Sequence, residues 1–171
     1  MLASGYLEDA EAHDMDDMQV AVLKRAAAEG AIAFEDYQEA IHRSIECISD
    51  AGYHTEIYPA DESRGFPVIG YFYEGPESGN PVADACIRMH SEAIEALYQM
   101  QPSSVSAQDQ VFLDGLDDLE ACLARAGVNW DTEGKTVDEL WTELLEIRQT
   151  EPLPSDGTLG PIRGCEPPTG S

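Results

Sequence analysis

The chain has 171 residues, enough for a sizeable core, and 43% of them are hydrophobic, a content that argues against wholesale disorder. It carries 34 acidic and 9 basic side chains, a formal net charge of -25. Phosphate backbones and anionic lipid surfaces are bound by clustered Lys and Arg, so direct nucleic-acid and membrane-surface binding are disfavoured, whereas a basic protein partner is compatible.

No run of about 20 apolar residues suits a membrane-spanning helix. The opening stretch "MLASGYLEDAEAHD" has neither a basic n-region nor an apolar h-region, so it does not read as a signal sequence. Residues 1–15 are expected to form a flexible acidic leader, 16–150 a single domain, and 151–171 a Pro/Gly-rich tail. A helix is predicted from Asp16, with Met15, Met18, Val22 and Ala26 on one side and Gly30 as its stop. Gly30 also invites comparison with the glycine of a calcium loop. That alignment puts Arg25 and Ala27 at liganding positions and Asp36 where a bidentate Glu is needed. Arg and Ala cannot hold a cation, so a calcium switch is excluded.

After "AIAF", a second helix is predicted over 34–51, with Tyr37, Ile41, Ile45 and Ile48 as its apolar stripe and Gly52 as its stop. "HTEIY" and "PVIGYFY" then read as a β-hairpin, with Pro59 and Pro67 at edge or irregular positions. Alternation puts Val68, Gly70 and Phe72 on one face and Ile69, Tyr71 and Tyr73 on the other. Asn80-Pro81 suits a helix start, and a third helix is predicted over 81–100. "QPSSVSA" reads as a linker. A fourth helix over 107–126 carries Phe112, Leu116, Leu119 and Leu123. Thr136 and Glu139 form a capping box for a fifth, which closes near Gln149. The expected fold is therefore α+β: about five helices, one β-hairpin and two disulfides.

The four cysteines decide the compartment. "CISDAG" (Cys47 to Gly52) and "CLARAG" (Cys122 to Gly127) end two helices alike, with a thiol on the last full turn of each. Cys86 sits in the third helix. Cys165 lies in the Pro/Gly tail, where a free thiol has little packing purpose but a bridge would anchor the tail. Four cysteines allow three connectivities. The favoured one is Cys47–Cys86 with Cys122–Cys165, because each bridge then ties a helix end to the next cysteine-bearing segment. No pair has C-x-x-C spacing, so zinc and thioredoxin chemistry are not indicated. Disulfides imply an oxidising, extracytoplasmic setting.

"LKRAAAEGAIAFEDYQEAIHRSIECISDAGY" resembles a pattern in uncharacterised secreted proteins and lipoproteins of actinobacteria. There, too, a helix ending in "C-[IL]-x-x-A-G" is followed by a Cys-bearing helix, a "CL-x-x-A-G" helix and a Cys-bearing tail. The resemblance spans about residues 16–166. It implies secretion or envelope residence, and it implies no catalytic residues. This chain departs from the pattern in lacking the lipobox cysteine.

No catalytic, metal or cofactor motif stands out. His13, His42, His54 and His90 are scattered without ligand spacing. Asp109, Asp114, Asp117 and Asp118 share a polar helix face, which any solvated acidic helix would offer. The most suggestive patch is aromatic: Tyr53, Tyr58, Tyr71, Phe72 and Tyr73. From it Tyr58, Tyr71 and Tyr73 are expected as binding residues. The sequence thus reads as a non-enzymatic extracytoplasmic binding or structural protein of the bacterial envelope, with no cofactor. The alternatives are an acidic nucleic-acid mimic that occupies a basic partner, and an enzyme with an unrecognised acidic site.

Overall fold

The computed structural model describes residues 2–8, 14–75, 81–150, 161–162 and 164–166. Among these, eight helices and one two-stranded antiparallel sheet form. The chain divides into two compact units, where one domain over 16–150 was expected. The first comprises 1–62 and 66–105, the second 63–65 and 106–171.

The first unit is built on α3 (Phe34–Asp50). Its buried residues Tyr37, Ala40, Ile41, Ser44, Ile45 and Ile48 recur at three and four, the spacing of one helix face. Burying each large apolar side chain there contributes roughly 1.5–3 kcal/mol. Before it, α2 (Asp17–Glu29) starts where the Asp16 carboxylate accepts the Gln19 amide at 2.7 Å, and it ends at Gly30, whose φ of 85° suits a residue without a Cβ. The residues expected as a flexible leader include a helix, α1 (Leu2–Glu8), and Ala3 on it is buried.

After α3 come β1 (His54–Asp61) and β2 (Val68–Glu74), paired antiparallel as expected. Their register runs from His54 opposite Glu74 to Ile57 opposite Tyr71, then resumes with Ala60 opposite Ile69. Tyr58 and Pro59 therefore face the single residue Gly70, a β-bulge. Proline fits there because it has no amide to give to a ladder.

The expected third helix is two: α4 (Pro81–His90) and α5 (Glu92–Met100), broken at Ser91. The cause is Gln19, which is fully buried. Its Nε2 donates to the carbonyls of Arg88 and Met89, both at 2.9 Å, and its Oε1 accepts the Ala93 amide at 3.0 Å. A side chain inserted into the helical ladder in this way breaks the run. The proposed cap Asn80 lies outside the described residues. "QPSSVSA" is not a linker: α6 covers Pro102–Asp114 and opens on a proline, which loses nothing at a first helical position. Gly115 then separates α6 from α7 (Leu116–Arg125), so the expected fourth helix is also two.

The second unit closes its own core. Phe112, Leu119, Leu123, Leu140, Leu144 and Cys165 are buried together. α8 (Val137–Gln149) supplies two of these leucines and begins with the expected capping box, in which Thr136 and Glu139 bond each other reciprocally. Phe112 and Trp141 stack with ring centres 4.6 Å apart.

Both disulfides join cysteines consecutive in sequence, Cys47–Cys86 and Cys122–Cys165, with sequence separations of 39 and 43. The two helix ends that carry Cys47 and Cys122 are built alike. In one, Gly52 donates to Ser49 and Tyr53 to Ile48; in the other, Gly127 donates to Ala124 and Val128 to Leu123. Both are Schellman endings with a glycine at positive φ. In each bridge one partner is half-buried (Cys47, Cys122) and the other buried (Cys86, Cys165).

Candidate functional site

The hairpin has two chemically distinct faces. One turns toward α3 and α5. On it Ile69 is buried, and Thr55, Ile57, Tyr71 and Tyr73 are half-buried. The Tyr37 hydroxyl accepts the Ile69 amide at 3.1 Å, and the Tyr98 hydroxyl donates to the Pro67 carbonyl at 3.0 Å. Those two tyrosines stack with ring centres 4.3 Å apart. Aromatic stacking and the two hydroxyl bonds together fix β2 on the helices.

Tyr71 leads into a polar chain that runs from the half-buried hairpin face to buried serines. Its hydroxyl meets the Glu95 carboxylate at 3.4 Å. Glu95 accepts from the Ser91 hydroxyl at 2.5 Å, and Ser91 accepts from Ser44 at 2.7 Å. Burial pushes the Glu95 carboxyl above its ordinary value, while the bonds from Ser91 and Tyr71 pull it down. The Tyr71 phenol is pushed up by burial first and by the charge of Glu95 second. Ser44 and Ser91 are fully buried, so their hydroxyls join α3 to the α4–α5 break rather than face a substrate.

A second polar cluster centres on Asp16. Its Oδ2 meets Arg43 Nη2 at 2.8 Å and His90 Nδ1 at 2.7 Å. Together with the cap on α2, these contacts tie α2 to α3 and α4. His42 and His54 are exposed, and His13 lies outside the described residues. Among the described residues, no group of three or more His, Cys, Asp or Glu side chains is arranged to hold a metal ion. A mainly apolar hollow of about 310 Å³ lies at the end of α2, between Ala26, Ile32, Leu97 and Met100.

The other face of the hairpin is open. His54, Glu56 and Tyr58 on β1 and Gly70, Phe72 and Glu74 on β2 are all exposed. Tyr58 and Phe72 are 45% and 43% exposed, high for large aromatic side chains in a folded chain. A Cβ built on Gly70 would meet Tyr58 Cδ2 at 3.4 Å, so the Tyr58 ring lies over the glycine. Phe72 sits directly opposite Glu56, and Glu74 opposite His54.

The three tyrosines expected to bind are therefore separated. Tyr58 points outward, whereas Tyr71 and Tyr73 belong to the half-buried face. The outward partner of Tyr58 is Phe72. Alternation along β2 already set Phe72 apart from Tyr71 and Tyr73. What it could not supply was the cross-strand register, which the bulge at Tyr58–Pro59 shifts by one residue.

No protein-family model, curated protein or solved structure matches this chain. Its class therefore rests on its own features: an acidic α+β protein with two disulfides, in which no described helix is long and apolar enough to cross a membrane. Such bridges fit an oxidising compartment.

Proposed function

We propose that the chain is a non-enzymatic binding or structural protein that works outside the cytoplasm, at the bacterial envelope or exterior. The observation that carries this reading is the pair of disulfides, Cys47–Cys86 and Cys122–Cys165. Reducing cytoplasm keeps thiols free, so a chain that uses every cysteine in a bridge suits an oxidising exterior. The resemblance of residues 16–166 to secreted proteins and lipoproteins of actinobacteria points the same way. Binding rather than chemistry is favoured because the buried polar groups Ser44, Ser91 and Gln19, and the half-buried Glu95, are engaged with one another or with backbone.

Fractionation of the native host, combined with labelling by a membrane-impermeant amine reagent, tests the reading. The chain is expected outside the cytoplasmic membrane and labelled on intact cells. Recovery in the cytoplasm, protected from the reagent, would overturn it and favour an acidic mimic of nucleic acid.

A further inference from the structure

We propose that the open face of the hairpin, centred on Tyr58 and Phe72 with Glu56 and Glu74 beside them, docks a basic, arginine-bearing segment of a partner protein. The proposal deepens the binding role above and rests on that reading.

Three observations converge on this face. First, it exposes two large aromatic rings that lie within one small sheet surface. Tyr58 lies over Gly70, and Phe72 is the next outward residue along β2. A glycine at position 70 lets the Tyr58 ring approach the strand closely, while the residue stays 45% exposed and its hydroxyl donates to Glu56 at 3.4 Å. Second, carboxylates flank the rings. Glu56 is directly opposite Phe72, and Glu74 ends the same row. Neither forms an ion pair with a described residue. Third, the β-bulge at Tyr58 and Pro59 against Gly70 sets the position of the Tyr58 ring. Bulges recur where a strand re-aims a side chain for use.

The chemistry selects a cation. A guanidinium stacks on an aromatic ring through its π face while its N–H groups bond a carboxylate in the same plane. Rings with adjacent glutamates supply both halves of that recognition. An anionic or purely apolar partner would leave Glu74 desolvated and unpaired, and Glu56 with only the Tyr58 hydroxyl at 3.4 Å, which is costly. Charge complementarity acts at longer range as well: the -25 chain attracts basic partners before contact. Net charge alone, however, does not choose a face. The aromatic pair does.

The test is fluorescence anisotropy with a labelled peptide of alternating arginine and serine, at about 0.15 M salt, where long-range attraction is screened. The intact chain is compared with the double variant Tyr58→Thr, Phe72→Thr, which keeps every charge and suits a strand. Saturable binding that weakens about tenfold in the variant is expected from losing two cation–π contacts. A second pair of variants guards against misfolding of the first. Glu56→Gln with Glu74→Gln should weaken binding more than Glu133→Gln with Glu146→Gln, which removes the same charge elsewhere. Equal weakening by the two pairs, or an unaltered affinity in a folded threonine variant, would show binding by net charge only and overturn the proposal. So would the absence of saturable binding. Sedimentation of the chain alone tests a different occupant: a dimer that the threonine variant abolishes would mean that the face belongs to a second copy. Each of these failures leaves the extracytoplasmic reading untouched, because that reading is decided by fractionation.

Discussion

Gln19 and Ala93 are joined by a bond that replaces a rung of helix. The Ala93 amide would ordinarily donate to the Met89 carbonyl four residues back. Instead it donates to Gln19 Oε1 at 3.0 Å, and Met89 receives Gln19 Nε2 at 2.9 Å. One side chain from α2 thus satisfies both ends of the break between α4 and α5. Gln19→Leu should cost about 2–4 kcal/mol, because it strands buried backbone groups without opening a large void. Urea unfolding followed by far-UV circular dichroism would measure it. A loss below about 0.5 kcal/mol, the range of a surface change, would mean that the break needs no support from Gln19.

Glu95 makes stability depend on pH in the less usual direction. Its carboxyl is raised in the folded chain, by burial above all. The folded state therefore holds the proton more tightly than the unfolded state does. This contribution is fully present below the ordinary carboxylate pKa and is lost as pH rises through the folded value. Glu95→Gln removes the dependence while keeping an oxygen that can accept from Ser91 and Tyr71. The stability of the variant relative to the parent should rise with pH across that window and level off above it. Unfolding curves at a series of pH values would show this trend; a flat or falling difference would contradict it.

The capping box gives the opposite sign. Bonds from the Thr136 backbone and hydroxyl hold the Glu139 carboxyl below its ordinary value. Its contribution is present above the unfolded pKa and lost as pH falls through the folded one. Thr136→Ala removes the side-chain half of the box and should cost about 1 kcal/mol at neutral pH. The loss should appear in the second unit, read from Trp130 and Trp141 fluorescence. An unchanged midpoint would show that packing of Leu140 and Leu144 alone holds the start of α8.

The two bridges should contribute almost equally. They close loops of similar length, and the chain-entropy relation gives about 4 kcal/mol for each. The double replacements Cys47→Ala with Cys86→Ala, and Cys122→Ala with Cys165→Ala, should therefore lower stability by comparable amounts. Calorimetry of the two variants would compare them. A large loss from only one would show that the other bridge closes a loop already ordered in the unfolded chain.

Local signals in the sequence suffice where a structure is decided locally. Gly30 and Gly52 stop helices because few other residues accept positive φ, and Thr136 with Glu139 marks a helix start by direct bonding. The alternation in "PVIGYFY" separated the two faces of β2. Long-range causes stayed hidden. The break at Ser91 depends on Gln19, about seventy residues earlier in the chain, and no periodicity reports it. The start of the helix over 102–114 is hidden because "PSS" has turn-like composition, although proline is at home in a first helical turn. Tyr71 and Tyr73 fall together with Tyr58 in the sequence because composition shows aromatic residues but not the register that parts them.

The central claim is that this chain lives oxidised, with every cysteine bridged. Intact mass after alkylation in denaturant, with and without prior reduction, tests it on protein isolated from the native host. The account predicts no alkyl group without reductant and four with it. Peptide mapping should then recover Cys47 linked to Cys86 and Cys122 linked to Cys165. Four alkyl groups without reductant would contradict the account and remove the argument for an extracytoplasmic role.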